Sequence, residues 1–535
     1  MNNVMKTKVY KNGVIFTSNS NNDFVDTVIT IGNKIYKAGG YEKLQKFIHD
    51  DAEIIDLDGK LMLPGFTDAH MHIEMGGFKL LSLDLSEADS KERFRKILSN
   101  YIKVHNPEYI VGNNWRNYNW KGAELPDLFW IDDITGSIPT LLYRMDSHLA
   151  LANSAALKLA GIQQSVEDPP NGMFGHYESD GKLNGLLYDE AIDIVREHFP
   201  APTMEEKKKA VLTTIEHALE HGITAIHDVC YQGQFETLTR LEQQGKLNCR
   251  IHARLPLNSF DNIIKSGFCG NFGSDRLQIG SFKAFSDGSL GAGTAWFNEP
   301  YSDNPENKGF PTAIIKNGEL VKKALEIDQA GFQLTIHAIG DAANDYLVEL
   351  YDTLEKKNPR DRRFRIEHAQ HVSPEFVHNS KGKDIIMSAQ PYHLYDDGDW
   401  AEEKVGAERL KLAYPFKSFI DNDIHLCFGS DFPIVTLDPI LAIYTAVTRD
   451  TKESRYPDGL NPSEIITVLD AVRAYTIEGA YAAYNENTLG SIEPGKFADF
   501  VILDKNIFEI PAAEISNVKV VETIFDGEVV YKRDQ

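Results

Sequence analysis

Pro64-Gly-Phe-Thr-Asp-Ala-His-Met-His72 follows the apolar run from Leu61 to Phe66 and ends on two histidines spaced two apart. In an extended segment residues i and i+2 project from one face, so His70 and His72 can reach the same ion. Alone the pair is a weak signal, because satisfied loop histidines show the same spacing. Its weight comes from downstream. The runs Gln333 to His337 and Phe364 to His368 each close on a histidine, and His425 to Gly429 leads into Asp431. A further run, Ile279-Gly-Ser-Phe-Lys-Ala-Phe-Ser-Asp287, carries Lys283 in its middle, where an unpaired ammonium is costly to bury.

These runs belong to a set of eight strand-like segments: Leu61 to Phe66, Ile223 to Val229, Arg250 to Leu255, Ile279 to Phe285, Gln333 to His337, Phe364 to His368, Ile385 to Gln390 and His425 to Gly429. A polar or Gly-rich loop follows each, and then in most cases a helical pattern such as Leu320 to Ala330 or Pro374 to Asn379. The alternation predicts parallel βα units, and eight of them predict a closed (β/α)8 TIM barrel, an α/β fold. In such a barrel the C-terminal strand ends share one mouth. Donors from strands one, five, six and eight meet only if the barrel closes.

Residues 1–60 and 485–535 read as short strands and tight turns, with turn signals at Asn12-Gly13 and Asp526-Gly527. Each piece is too small for its own core, so the two ends are expected to combine into one small β-sandwich domain beside the barrel of residues 61–484. Between strands one and two lie about 150 residues where a crossover needs a few tens, so an inserted substructure over about 74–210 is expected. Leaving the C-terminal end of strand one, it is expected to cover a substrate. It holds Gly112-Asn-Asn-Trp-Arg-Asn-Tyr-Asn-Trp120 and Tyr143-Arg-Met-Asp-Ser-His148.

With 55 Lys plus Arg against 79 Asp plus Glu, the net charge of −24 argues against nucleic acid or an anionic membrane as partner. Cys230, Cys249, Cys269 and Cys427 show no CxxC spacing, so neither a disulfide framework nor a thiolate zinc site is indicated. No signal-peptide core and no stretch of about 18 apolar residues is found, and a cytoplasmic location is expected. A small-molecule substrate is expected; a homodimer stays open.

His70, His72, Lys283, His337, His368 and Asp431 thus form a candidate site for one or two divalent ions. Carbon dioxide could convert the Lys283 amine to a carbamate able to bridge two ions; the bland alternative pairs Lys283 with Asp287 or another carboxylate. A bound ion lowers the pKa of water from about 15.7 to about 7. Asp431 is the candidate catalytic base, shuttling the proton from water to a leaving amine. Glu367 would point away from the site if its strand alternates and reads as structural or as a support behind a ligand, and Asp287 and Asp341 read as ligand-orienting residues or helix caps, with capping preferred. Trp115, Trp120 and His148 are candidate substrate contacts, weighed against packing for the tryptophans and helix capping for the histidine.

Leu63-Pro-Gly-Phe-Thr-Asp-Ala-His-Met-His72, Tyr143-Arg-Met-Asp-Ser-His148, Lys283-Ala-Phe-Ser-Asp-Gly-Ser-Leu-Gly291, His337-Ala-Ile-Gly-Asp341, Ile366-Glu-His-Ala-Gln370, Gly429-Ser-Asp-Phe-Pro433 and Gly490-Ser-Ile-Glu-Pro-Gly-Lys-Phe-Ala-Asp499 together resemble the amidohydrolase superfamily. The resemblance is to its amidohydrolase-3, YtcJ-like branch, which includes N-substituted formamide deformylases. It implies the six ligands named above, with Lys283 as carboxylysine and zinc as the usual ion, and the two-ended β-sandwich. The expected activity is metal-activated hydroxide attack on a non-peptide carbon–nitrogen bond of an amide, N-substituted formamide or cyclic amide. Deamination or ester or lactone hydrolysis on the same site is the alternative, and a non-catalytic regulatory relative is a third.

Overall fold

The computed structural model describes residues 6–117, 120, 124–145, 148–357 and 360–534. The chain divides into two compact units, one of residues 1–77 and 208–535 and one of residues 78–207.

The first unit is built on eight parallel strands, each hydrogen-bonded to the next in chain order: β1 (Phe66–Met71), β2 (Ile223–Val229), β3 (Arg250–Pro256), β4 (Leu277–Phe285), β5 (Gln333–Ala338), β6 (Phe364–His368), β7 (Ile385–Ala389) and β8 (His425–Phe428). Every residue of β1, β2, β5, β6 and β7 is buried, as expected of parallel strands covered on both faces. Just beyond β8 a parallel bridge joins Phe432 to Met71, and Asp431 donates its backbone N–H to His70 O at 2.6 Å. These contacts bring the last strand back to the first and nearly close the barrel.

The expected first strand, Leu61 to Phe66, is two strands. Leu61–Pro64 pairs antiparallel with Phe500–Leu503 in a different sheet, and the barrel strand starts at Phe66. The break falls at Pro64, which has no N–H to give, and Gly65, where a Cβ would lie 2.2 Å from Thr224 Oγ1. The other sheet runs, in order, Glu528–Lys532, Val520–Phe525, Phe500–Leu503, Leu61–Pro64, Thr7–Phe16, Phe24–Ile31 and Lys34–Gly39, with Glu53–Asp56 on Thr7–Phe16. Both chain ends therefore share its hydrogen bonds. Asp526 and Gly527 both take positive φ in the hairpin turn read from sequence. Asn12-Gly13, read as a turn, is instead an irregularity within the single strand Thr7–Phe16. Leu57 Cβ would stand 2.6 Å from a Cβ at Gly13, so only glycine fits against that neighbour.

The second unit carries a six-stranded sheet in the order Gly172–His176, Leu183–Asp189, Leu149–Ala152, Thr140–Arg144, Ile110–Trp115 and Leu83–Asp84. Its core gathers Trp115, Trp120, Trp130 and Phe94, with Trp120 and Trp130 stacked at 5.4 Å. Trp115 Nε1 donates to Leu142 O and Trp120 Nε1 to Ala88 O, so both indoles are buried and satisfied within this unit. Both therefore pack in the core of this unit, the role weighed against substrate contact in the sequence. Among the described residues no helix is long and apolar enough to cross a membrane.

Candidate metal centre

Main-chain hydrogen bonds at the junction of β1 and β8 place the first donors. Asp68 Oδ1 accepts from the N–H groups of His70 and Ser430, both at 3.0 Å, and His72 donates its N–H to Phe432 O at 2.8 Å. Gly429 is required there, since a Cβ would stand 2.4 Å from His70 N. Asp431 itself adopts φ 61°, a left-handed backbone that costs a non-glycine residue free energy and here aims its carboxylate at the histidines. Its Oδ1 lies 3.3 Å from His70 Nε2 and 3.2 Å from His72 Nε2.

The later strands bring up the remaining rings. The His368 ring is centred 5.0 Å from His70 and 4.4 Å from His337. His368 Nδ1 donates to Gln390 Oε1 at 2.8 Å, and His337 Nε2 donates to Gly288 O at 3.0 Å. Each bond fixes a tautomer, leaving Nε2 of His368 and Nδ1 of His337 for an ion. Burial, with Arg254 close behind, pulls His70 well below the ordinary histidine range; burial and then His337 do the same to His368, and burial and Lys283 take His337 to about 4. All three are neutral near pH 7, the form that binds metal.

Lys283 is 3% exposed, its Nζ has no hydrogen-bond partner, and the ammonium lies over the Phe285 ring at 4.9 Å. The alternative pairing with Asp287 does not occur, because that carboxylate is taken by the N–H groups of Ile339, Gly340 and Trp296. Burial, partly offset by Glu367, lowers Lys283 to about 7.

Glu367 supports a ligand from behind, as read from the sequence. Its Oε2 accepts from His70 Nδ1, while Arg254 Nη1 and Arg365 Nε approach Oε1 at 2.8 and 3.0 Å. Arg365 and Glu367, two apart on β6, meet on one face of the strand, and at His368, where φ is 75°, the chain leaves the extended conformation. Burial alone would raise Glu367, but Arg254 and then Arg365 hold it well below the carboxylate range. A permanent anion thus orients His70 with Nε2 towards Asp431.

Three contributors escaped the sequence reading. His393, on the helix Pro391–Asp397 after β7, sets Nε2 3.4 Å from Asp431 Oδ2. Tyr231, after β2, stacks on His72 at 5.5 Å, and Phe285, at the end of β4, leans on His337 at 5.4 Å. Only residues following β7 and β2 in a closed barrel could have flagged the first two, and that needs coordinates. His148 is exposed in the second unit and paired through Nδ1 with Asp189 Oδ1 at 2.7 Å. The N-cap of Ser154–Leu159 is Asn153. Residues 118–119 and 146–147 of the insertion motifs lie outside the described residues.

The residues fit a divalent ion. His70, His72 and Asp431 offer atoms all within 4.8 Å of one another, as do His368, His393 and Asp431. His72 Nδ1, Lys283 Nζ and His393 Nε2 are buried without a hydrogen-bond partner. Tetrahedral sites with ligand bonds of about 2.0–2.1 Å have donor–donor edges of about 3.3 Å, which is the spacing between Asp431 and its imidazoles.

A nearly closed parallel barrel with imidazole and carboxylate donors converging beyond its C-terminal strand ends is the architecture of the amidohydrolase class. Residues 53–531 match the amidohydrolase family, and the chain belongs to it. It is 36% identical to Protein LONG AFTER FAR-RED 3 of Arabidopsis thaliana, covering 97% of this chain and 91% of that protein. It is 29% identical to YtcJ of Bacillus subtilis, named as an amidohydrolase, over 98% and 99% of the two chains. Identity to the N-substituted formamide deformylase of Arthrobacter pascens is 25% over 99% of each. Among solved structures, an uncharacterized metal-dependent hydrolase from Pyrococcus horikoshii superposes with a TM-score of 0.81 at 28% identity, covering 95% of this chain and 99% of that one.

Proposed function

We propose that the chain is a metal-dependent hydrolase of a non-peptide carbon–nitrogen bond in an amide, an N-substituted formamide or a cyclic amide. The observation that carries this reading is Asp431, a buried carboxylate set between His70, His72 and His393 beside an unpaired lysine. A divalent ion held there, with zinc best matched to imidazole and carboxylate donors, supplies Lewis acidity to a scissile carbonyl and acidity to water.

His70, His72, His337, His368 and Asp431 would hold one or two such ions. Lys283, uncharged in good part near neutrality, would take up carbon dioxide at Nζ, losing a proton and forming a carbamate as a sixth, anionic donor. Burial would raise Asp431, but His70, then His393 and His72, outweigh it and hold the carboxyl well below its usual range, so it stands as the anion. Asp431 would take the proton of the attacking water and give it to the departing nitrogen, which leaves poorly as an anion. Tyr231 and Phe285, 44% and 40% exposed and resting on two of the histidines, offer flat apolar surfaces to a substituent on the substrate. The similarity to an N-substituted formamide deformylase supports the same class of bond.

A panel of N-formyl amines, cyclic amides, lactones and aminated purines, assayed for amine, acid and ammonia, tests the proposal. Amine or ring-opened acid from the amides supports it. Ammonia from purines alone, or turnover of lactones alone, overturns it.

A further inference from the structure

Asp431 presents its two oxygens to different histidines. Oδ1 serves His70 and His72, whereas Oδ2 faces His393 Nε2 at 3.4 Å. A charge-assisted N–H···O bond runs about 2.7–2.9 Å, so the His393 contact is long for one. The separation equals the edge of a tetrahedral ligand set, about 3.3 Å, as do the two on Oδ1. His393, its side chain 12% exposed, has no other partner for Nε2 than this long contact with Asp431 among the described residues. The ring of His368 lies 5.8 Å away, and the donor atoms of His368, His393 and Asp431 all fall within 4.8 Å of one another.

Local sequence holds this arrangement. Gln390 donates Nε2–H to Ser388 O at 3.1 Å, which turns Oε1 to His368 Nδ1 and frees His368 Nε2. Pro391 then starts the helix Pro391–Asp397, and its first turn delivers His393 beside Asp431.

We infer that His393 is itself a metal ligand, completing with His368 and Asp431 Oδ2 a second donor face that shares Asp431 with the His70–His72 face. This rests on the metal-centre reading proposed above and adds His393 to the residues that would hold a divalent ion. Imidazole-rich donors of this kind select a borderline divalent ion such as zinc or cobalt(II).

The test is stoichiometry and spectroscopy on the full chain, stripped by chelator and reloaded with cobalt(II). His393→Ala is expected to bind less cobalt per chain than the wild type, by up to one ion, and to show a changed visible cobalt band. Should His393→Ala lose its circular-dichroism signature, ¹⁵N-histidine NMR of the cobalt-loaded wild type gives the answer, since a ligand imidazole shows strongly shifted resonances. Folded His393→Ala with unchanged cobalt content and band, or an unshifted His393 ring in the wild type, overturns the inference. Failure of amide hydrolysis with the cobalt results intact would instead remove the hydrolase reading and leave His393 a ligand.

Discussion

The Glu367 carboxylate receives the Nδ1 proton of His70 from between two guanidinium groups, Arg254 at 2.8 Å and Arg365 at 3.0 Å, all of it sealed within the barrel. An anion in that position makes His70 Nε2 a better electron donor and fixes the ring plane. Glu367→Gln keeps the shape but gives up the charge, and should weaken zinc binding by about 10- to 100-fold in chelator competition. Glu367→Ala strands two buried cations and should cost about 3–5 kcal/mol in denaturant unfolding. Wild-type zinc affinity in Glu367→Gln would show that the contact is packing only.

Lys283 has a different dependence. If its Nζ carries a carbamate, Lys283→Ala should lose most of its metal and activity and recover part of both when a short carboxylic acid is added with metal. Elemental analysis and turnover with and without acetate or propionate check this. Metal content unchanged by the substitution would place Lys283 outside the ligand set.

The barrel and most of the donor set were legible because parallel strands are near-continuous apolar runs, and five of the candidate donors lie at or just past a run's end. Lys283 stood out inside its run by the cost of burying it. What stayed hidden depends on coordinates. The partner of Glu367 was hidden because His70 lies 297 residues away along the chain. His393 lies on a short helix whose sequence, Pro391-Tyr-His-Leu-Tyr-Asp-Asp397, shows no ligand spacing and acquires meaning only once β7 stands beside β8. The insertion tryptophans resembled pocket residues because indoles serve cores and pockets alike, and only burial tells them apart.

The terminal sheet is tied to the barrel by ion pairs that predict a pH response. Arg250 on β3 holds Asp499 at 2.7 Å and Asp526 at 2.5 Å, and Arg276 holds Asp526 at 2.7 Å. Burial would raise Asp526, but Arg250 and then Arg276 outweigh it and lower its pKa in the folded state. Its stabilising effect is therefore complete above the unfolded carboxyl value of about 3.9 and disappears as pH falls through the lower folded value. Asp526→Asn should lower the unfolding temperature at pH 7 and make stability below about pH 4 less dependent on acid than in the wild type. Parallel melting curves of the two proteins from pH 3 to 7 check it; an equal offset at every pH would mean that the ion pairs contribute nothing.

Asp431→Asn separates holding from proton transfer. Asparagine keeps an oxygen near His70 and His72, and the backbone N–H of residue 431 still donates to His70 O, so the closure of the barrel is preserved. What disappears is the carboxylate that accepts a proton from water and returns it to nitrogen. Turnover should fall by about 10²- to 10⁴-fold, the usual contribution of a positioned acid–base group, while circular dichroism and unfolding temperature stay near wild type. Because the amine product depends on that returned proton, the loss should be smaller for a substrate whose leaving group departs readily as an anion, such as an anilide bearing a nitro group. A folded Asp431→Asn that turns over alkyl amides at the wild-type rate would remove Asp431 from the mechanism, and an equal loss on both substrates would confine it to holding the ion.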